Sequence, residues 1–256
     1  MSVKGILLDM GGVLYVGEKP IERAVETLNL LRENFSLRFL TNTTRKAPKS
    51  VIEKMNKMGF SIKEEELFTA LSAMKSKIEQ KRAKAFPILT DEAKEYFKDF
   101  IVKENEKANF VIIGDAGENF TYSTLNEAFR KIIYDNASIL AAAINRYFKD
   151  DDDKLSMDAG GFVKALEYAS EKEALIVGKP SKEFFLSAVK SMNLDPKEVI
   201  MVGDDIENDI KGAQNAGIKA ILVKTGKFRP QDLNKGIKPD AVIEDISHLP
   251  SLLQKL

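Results

Sequence analysis

A chain of 256 residues with 44% apolar content can build one large core or two small ones, which excludes a disordered polymer. Lys plus Arg equals Asp plus Glu at 39 each, so no net field draws the chain to nucleic acid or to an anionic membrane, and an anion has to be bound locally. Absent cysteines remove disulfides, thiolate metal sites and cysteine nucleophiles and point to a cytoplasmic compartment, while a single histidine, His248, argues against serine–histidine triads and multi-histidine metal sites.

The N-terminal run MSVKGILLDMGG is too briefly apolar for a secretory signal or a membrane anchor, and 3–8 reads as a buried strand. Apolar residues at helical spacing predict a helix over 21–32, a strand over 37–40, and a helix over 46–58 that Gly59 closes. Further strands are expected at 85–89, 110–113 and 139–144, separated by helices near 91–97 and 122–133. Strands at 174–177, 199–202 and 220–223 follow, each leading into a helix or a polar loop, and 246–256, with His248, reads as an amphipathic helix.

This alternation predicts an α/β fold, a doubly wound parallel sheet core formed by 1–81 and 171–256, with a smaller α/β domain inserted over 82–170. The acidic run at 150–153 lacks the glycine and distal glutamate of a calcium loop and reads as a solvated turn.

Four polar groups fall just past predicted core strands, where open α/β sheets bind ligands. They are Asp9 with Gly11 and Gly12; Thr41 with Asn42; Lys179 between Gly178 and Pro180; and Asp204, Asp205 and Asp209 in GDDIEND. The glycines let backbone approach an anion, and Thr41 and Lys179 are anion-binding groups. Set beside several carboxylates suited to a hard cation, they describe a metal–phosphate site. Each motif alone is better explained by a helix cap, a turn or a solvated charge.

The motifs LLDMGGVLY, FLTNTTRK, VGKP and MVGDDIENDIKGAQNAGIKAILVKTGK resemble those of the haloacid dehalogenase superfamily, and the insertion is similar to the α/β cap of its 4-nitrophenylphosphatase-like branch. The resemblance implies a phosphatase of small phosphorylated substrates with Asp9 as nucleophile, and Mg2+ held by Asp9, the carbonyl of Gly11 and Asp204, with Asp205 or Asp209 supporting its waters. Thr41 and Lys179 would bind the phosphoryl oxygens, and Asn42 would orient the loop or touch substrate. Asn145, Arg146 and Asp158, beside the Gly160–Gly161 pair, are implied candidates for substrate contact, with ordinary loop polarity an equal alternative. Homodimerisation through the cap is a further implication. Gly11 stands where most phosphatases of the family carry a second aspartate as general acid/base. Two readings follow: a substrate whose leaving group needs little protonation, or a degenerate member that binds phosphate without turnover.

Overall fold

Strand Gly5–Asp9 is buried at every position, as a strand must be when helices cover both faces of a parallel sheet. It is found in a computed structural model of the chain that describes residues 2–103, 106–149 and 154–255; the acidic run at 150–153 lies outside them. The chain forms two compact units, one of Met1–Thr41, Val51–Phe68 and Lys179–Leu256, the other of Asn42–Ser50 and Thr69–Gly178.

The first unit is organised by a six-stranded sheet in the order Ala241–Ile243, Lys219–Val223, Val199–Gly203, Gly5–Asp9, Ser36–Thr41, Leu67–Thr69. Gly5–Asp9 pairs in parallel with Ser36–Thr41 on one side and Val199–Gly203 on the other. The chain therefore departs from this strand in both directions, which makes its carboxyl end the topological switch point where such sheets open a crevice. Helix Ala24–Arg32 buries one stripe, Ala24, Thr27, Leu28 and Leu31, and Leu28 and Leu31 join a core with Ile6, Leu8, Phe39, Phe60 and Val202. Gly59, with φ near 90°, takes the left-handed turn just past helix Pro48–Lys57.

The second unit carries a four-stranded, wholly parallel sheet in the order Leu175–Ile176, Ser138–Ala141, Phe110–Ile113, Ala85–Ile88. Alternate residues supply two cores, as the two-residue period of a strand requires. Ile112 and Leu140 pack with Leu71, Met74 and Ile78 of helix Ala70–Lys81. Val111, Ile113 and Ile139 pack with Ile132 of helix Tyr122–Tyr134 and with Val163 and Leu166 of helix Ala159–Ser170.

The architecture is the expected α/β one of parallel sheets and helices, with local differences. The strand expected at 174–177 as part of the first sheet is Leu175–Ile176, and its hydrogen bonds go to Ser138–Ala141 of the second sheet. The longer segment of the second unit runs Thr69–Gly178, where the sequence pattern sets 82–170, and Asn42–Ser50 joins it; helix Ala70–Lys81 falls in this unit because it buries its apolar face against the second sheet. The C-terminal helix is shorter than its pattern, Leu249–Leu253 after a 3-10 turn at Ile246–His248. No helix among the described residues is long and apolar enough to cross a membrane.

Candidate active site

Asp9 ends strand Gly5–Asp9 and Asp204 directly follows the neighbouring strand Val199–Gly203, so two carboxylates meet at the switch point. A π-helical turn at Ile206–Lys211 folds Asp209 back toward them, and carboxylate oxygens of Asp9, Asp204 and Asp209 lie within 4.8 Å of one another. Lys179, the first residue of the chain's return to this unit, reaches into the group: its Nζ stands 2.5 Å from Asp9 Oδ1 and 2.6 Å from Asp209 Oδ1. All four side chains are buried. Thr41, also buried, ends the strand on the other side of Asp9.

Three glycines make room for these acids. A Cβ on Gly203 would collide with the side chain of Asp209, and a Cβ on either Gly12 or Gly226 would collide with Asp204 Oδ2. Asp204 Oδ2 accepts a hydrogen bond of 2.6 Å from the backbone N–H of Lys227. Its other oxygen, Oδ1, is buried without a hydrogen-bond partner. Leaving a buried acceptor on a charged group unmet costs several kcal/mol in general, so such an oxygen marks a ligand position. Gly11 differs from its neighbours, because a Cβ there meets nothing within 4 Å.

The cluster is charge-unbalanced, three carboxylates against one enclosed ammonium. Burial and the proximity of Asp9 and Asp209 push the Asp204 carboxyl well above its usual range. Burial likewise raises Asp209, to about 7, with Asp9 and Asp205 adding to the rise and Lys179 opposing it. For Lys179 burial opposes the charge, but Asp209 and Asp9 outweigh it and hold the ammonium above its ordinary value. Tyr15, in the turn after Gly12, is pushed up to about 12 by burial and by Asp9. An all-oxygen set with one unmet carboxylate oxygen and excess negative charge fits a hard divalent cation such as Mg2+ and does not fit a soft metal.

Of the residues picked out in the sequence, Asp9, Lys179, Asp204 and Asp209 converge, and Gly11 and Gly12 form the turn that follows Asp9. Asp205 points elsewhere: its carboxylate accepts from the backbone N–H groups of Glu207 and Asn208 at 3.0 and 2.9 Å and from the Asn208 amide at 2.8 Å. Burial works to raise its pKa, and those donors with Lys227 win and lower it. Asn42, Asn145 and Arg146 belong to the second unit. There the Asn42 side chain lies against Gly178, whose Cβ it would block. The backbone carbonyls of Asn145 and Arg146 accept from the N–H groups of Gly160 and Asp158 at 3.0 and 3.1 Å. Gly203, Gly226 and Lys227 escaped the sequence reading, although the GK pair after strand Lys219–Val223 repeats the glycine-plus-lysine composition of VGKP.

A family model described as haloacid dehalogenase-like hydrolase matches residues 6–103, and a second, HAD-hydrolase-like, matches 176–249. Haloacid dehalogenase-like hydrolase domain-containing protein 2 of Bos taurus is 40% identical over 235 residues, covering 91% of this chain and 89% of its own. The phospholysine phosphohistidine inorganic pyrophosphate phosphatase of Danio rerio is 39% identical over 253 residues, covering 96% and 92%. Among solved structures, 4-nitrophenylphosphatase from Thermotoga maritima superposes with a TM-score of 0.90 at 26% identity, covering 98% of each chain.

Proposed function

The chain belongs to the haloacid dehalogenase-like hydrolase family, and from that premise we propose that it is a Mg2+-dependent phosphatase of small phosphorylated substrates, working through an aspartyl-phosphate on Asp9. The observation that carries the reading is the buried Lys179 ammonium 2.5 Å from Asp9 Oδ1, beside two further carboxylates at the sheet's switch point. A lone aspartate at a strand end has no use for such surroundings. A nucleophile that must approach an anion does.

In this reading an Asp9 oxygen attacks phosphorus in line. The new O–P bond forms as the bond to the leaving group breaks, and the leaving group departs with that electron pair. Water then attacks the aspartyl-phosphate, releasing phosphate and restoring the carboxylate. Lys179 and Thr41 bind the nonbridging oxygens, where charge accumulates in the transition state. Asp9, Asp204 and the carbonyl of Gly11 would hold Mg2+, with Asp209 behind them; the ion supplies positive charge that lets the carboxylates and the phosphate share one site.

No side chain at Gly11 can protonate the leaving group. The substrates that suit this chain are those whose leaving group departs easily as an anion or from nitrogen: pyrophosphate, N-phosphorylated amino acids and aryl phosphates. The names of the Danio and Thermotoga proteins support the same set. The second unit would supply substrate choice as the family's cap, with Asn42, Asn145 and Arg146 as its candidate contacts; homodimerisation and a cytoplasmic compartment belong to the same reading.

The test is phosphate release from pyrophosphate, phospholysine and 4-nitrophenyl phosphate with Mg2+. Wild type is expected to turn over and Asp9→Asn to lose about 10⁴-fold or more. A wild-type chain inert on all three, with only Gly11→Asp gaining activity, would establish instead a phosphate-binding protein that has lost its chemistry.

A further inference from the structure

The loop after strand Lys219–Val223 places no carboxylate in the acidic cluster, yet three consecutive residues of it hold both the turn after Asp9 and the carboxylate of Asp204. Thr225 Oγ1 donates to the carbonyl of Gly12 at 2.5 Å. Gly226, with φ near 64°, is wedged between Gly12 and Asp204 so closely that a Cβ would collide with both. The backbone N–H of Lys227 closes the contact on Asp204 Oδ2 at 2.6 Å.

These bonds decide where the two groups point. The N–H of Gly12 donates to the Tyr15 carbonyl at 2.7 Å. In a planar trans peptide this also fixes the opposite-facing carbonyl of Gly11. The next peptide plane, which carries the Gly12 carbonyl, is fixed by Thr225. Gly12 has a φ near 85°, a conformation with few steric restraints of its own, so such external bonds help to hold its two flanking planes in place. At Asp204, one oxygen is tied to Lys227, which leaves Oδ1 as the oxygen presented to the site.

We propose that Thr225 and the Lys227 N–H form a latch that holds the Gly11–Gly12 turn and the Asp204 carboxylate in register for Mg2+, with Thr225 a positioning residue for the metal. The latch rests on the metal reading above and assigns the third strand end of the sheet a part in it. Supporting groups of this kind typically change metal affinity by about 10- to 100-fold when removed.

Isothermal titration calorimetry with Mg2+ alone, on the full chain, tests the latch without any turnover. Thr225→Val keeps the shape and removes the donor, and is expected to weaken Mg2+ binding about tenfold. Thr225→Ser restores the hydroxyl and is expected to bind as wild type does. In steady-state assays the Val variant should need more Mg2+ for half-maximal rate and recover its kcat at saturating Mg2+. Unchanged affinity in Thr225→Val overturns the latch, and so does a Ser variant as weak as Val, which would show that the hydroxyl does not restore what Val loses. Wild type that binds no Mg2+ defeats the metal reading itself, an outcome distinct from either, and the latch falls with it.

Discussion

Strands Phe110–Ile113 and Gly5–Asp9 are interior strands of parallel sheets, and each leads into an aspartate at its carboxyl end, Asp115 in one unit and Asp9 in the other. Asp115 is neutralised one to one. Arg45 Nε lies 2.6 Å from its Oδ2, and its Oδ1 accepts from the Gly117 N–H at 3.1 Å. Asp9 shares a single ammonium with Asp209 and stands beside Asp204, which has a buried oxygen with no partner. Folding alone accounts for the first arrangement, since the charges cancel and the acid organises its own loop. The second accumulates like charge where water is excluded, which lowers stability unless a ligand repays it. Uncancelled buried charge, more than an acid at a strand end, is what separates a binding site from a capped loop.

Breaking the imbalance further gives the largest expected effect. Lys179→Met leaves three buried carboxylates without their counter-charge and should destabilise the chain by about 3–5 kcal/mol in urea unfolding at pH 8 with EDTA. A loss below about 1 kcal/mol would show that water or protonation already relieves the site. Gly11→Asp comes next. Because a Cβ there meets nothing within 4 Å, the variant should fold normally and place a general acid beside the nucleophile. Alkyl phosphate hydrolysis is expected to rise by about 10²-fold, with much less gain on pyrophosphate; an equal gain on both would mean the leaving group never governed the substrate set.

A smaller effect follows from pH. The carboxyls of Asp204 and Asp209 are raised in the folded chain, Asp209 to about 7, so the metal-free fold holds protons that the unfolded chain has released. Stability of the metal-free protein should therefore fall as pH rises from the ordinary carboxylate range through about 7, where Asp209 titrates. Thermal unfolding in EDTA at pH 5 and pH 7.5 should show a Tm lower by several degrees at the higher pH. Mg2+ should erase the difference by binding the deprotonated carboxylates. A Tm that rises with pH in EDTA would contradict the raised values.

The contrast between the two strand ends was partly legible in the sequence. Gly5–Asp9 and Phe110–Ile113 announce themselves as short apolar runs, and Asp9, Lys179 and Asp204 stand in motifs that only a metal–phosphate site makes coherent together. Sheet membership was not legible for Leu175–Ile176, because two residues carry no periodicity and the choice of partner is made by packing far away in sequence. Nor was the choice between Asp205 and Asp209. Both follow the same strand, and it is the π-helical turn, folding Asp209 over the bare Cα of Gly203, that brings one in and leaves the other to cap. The part played by Gly226 was hidden for a related reason, since the atoms it must clear belong to Gly12 and Asp204, brought beside it only by the sheet.

The remaining prediction probes the balanced end. Arg45 is 46% exposed along its side chain, pairs with Asp115, and lies over the Phe148 ring with its guanidinium carbon 4.9 Å from the centroid. Water that screens the pair also solvates Asp115 when the partner is removed, so Arg45→Met should cost about 1 kcal/mol or less in the same urea experiment, most of it from the lost ring contact and loop order. The two substitutions shorten a cation to the same thioether beside an aspartate at a sheet end, and they differ chiefly in how many carboxylates remain and how much water reaches them. A cost for Arg45→Met equal to that of Lys179→Met would show that burial of any single ion pair, and not the excess of carboxylates around Asp9, sets the scale.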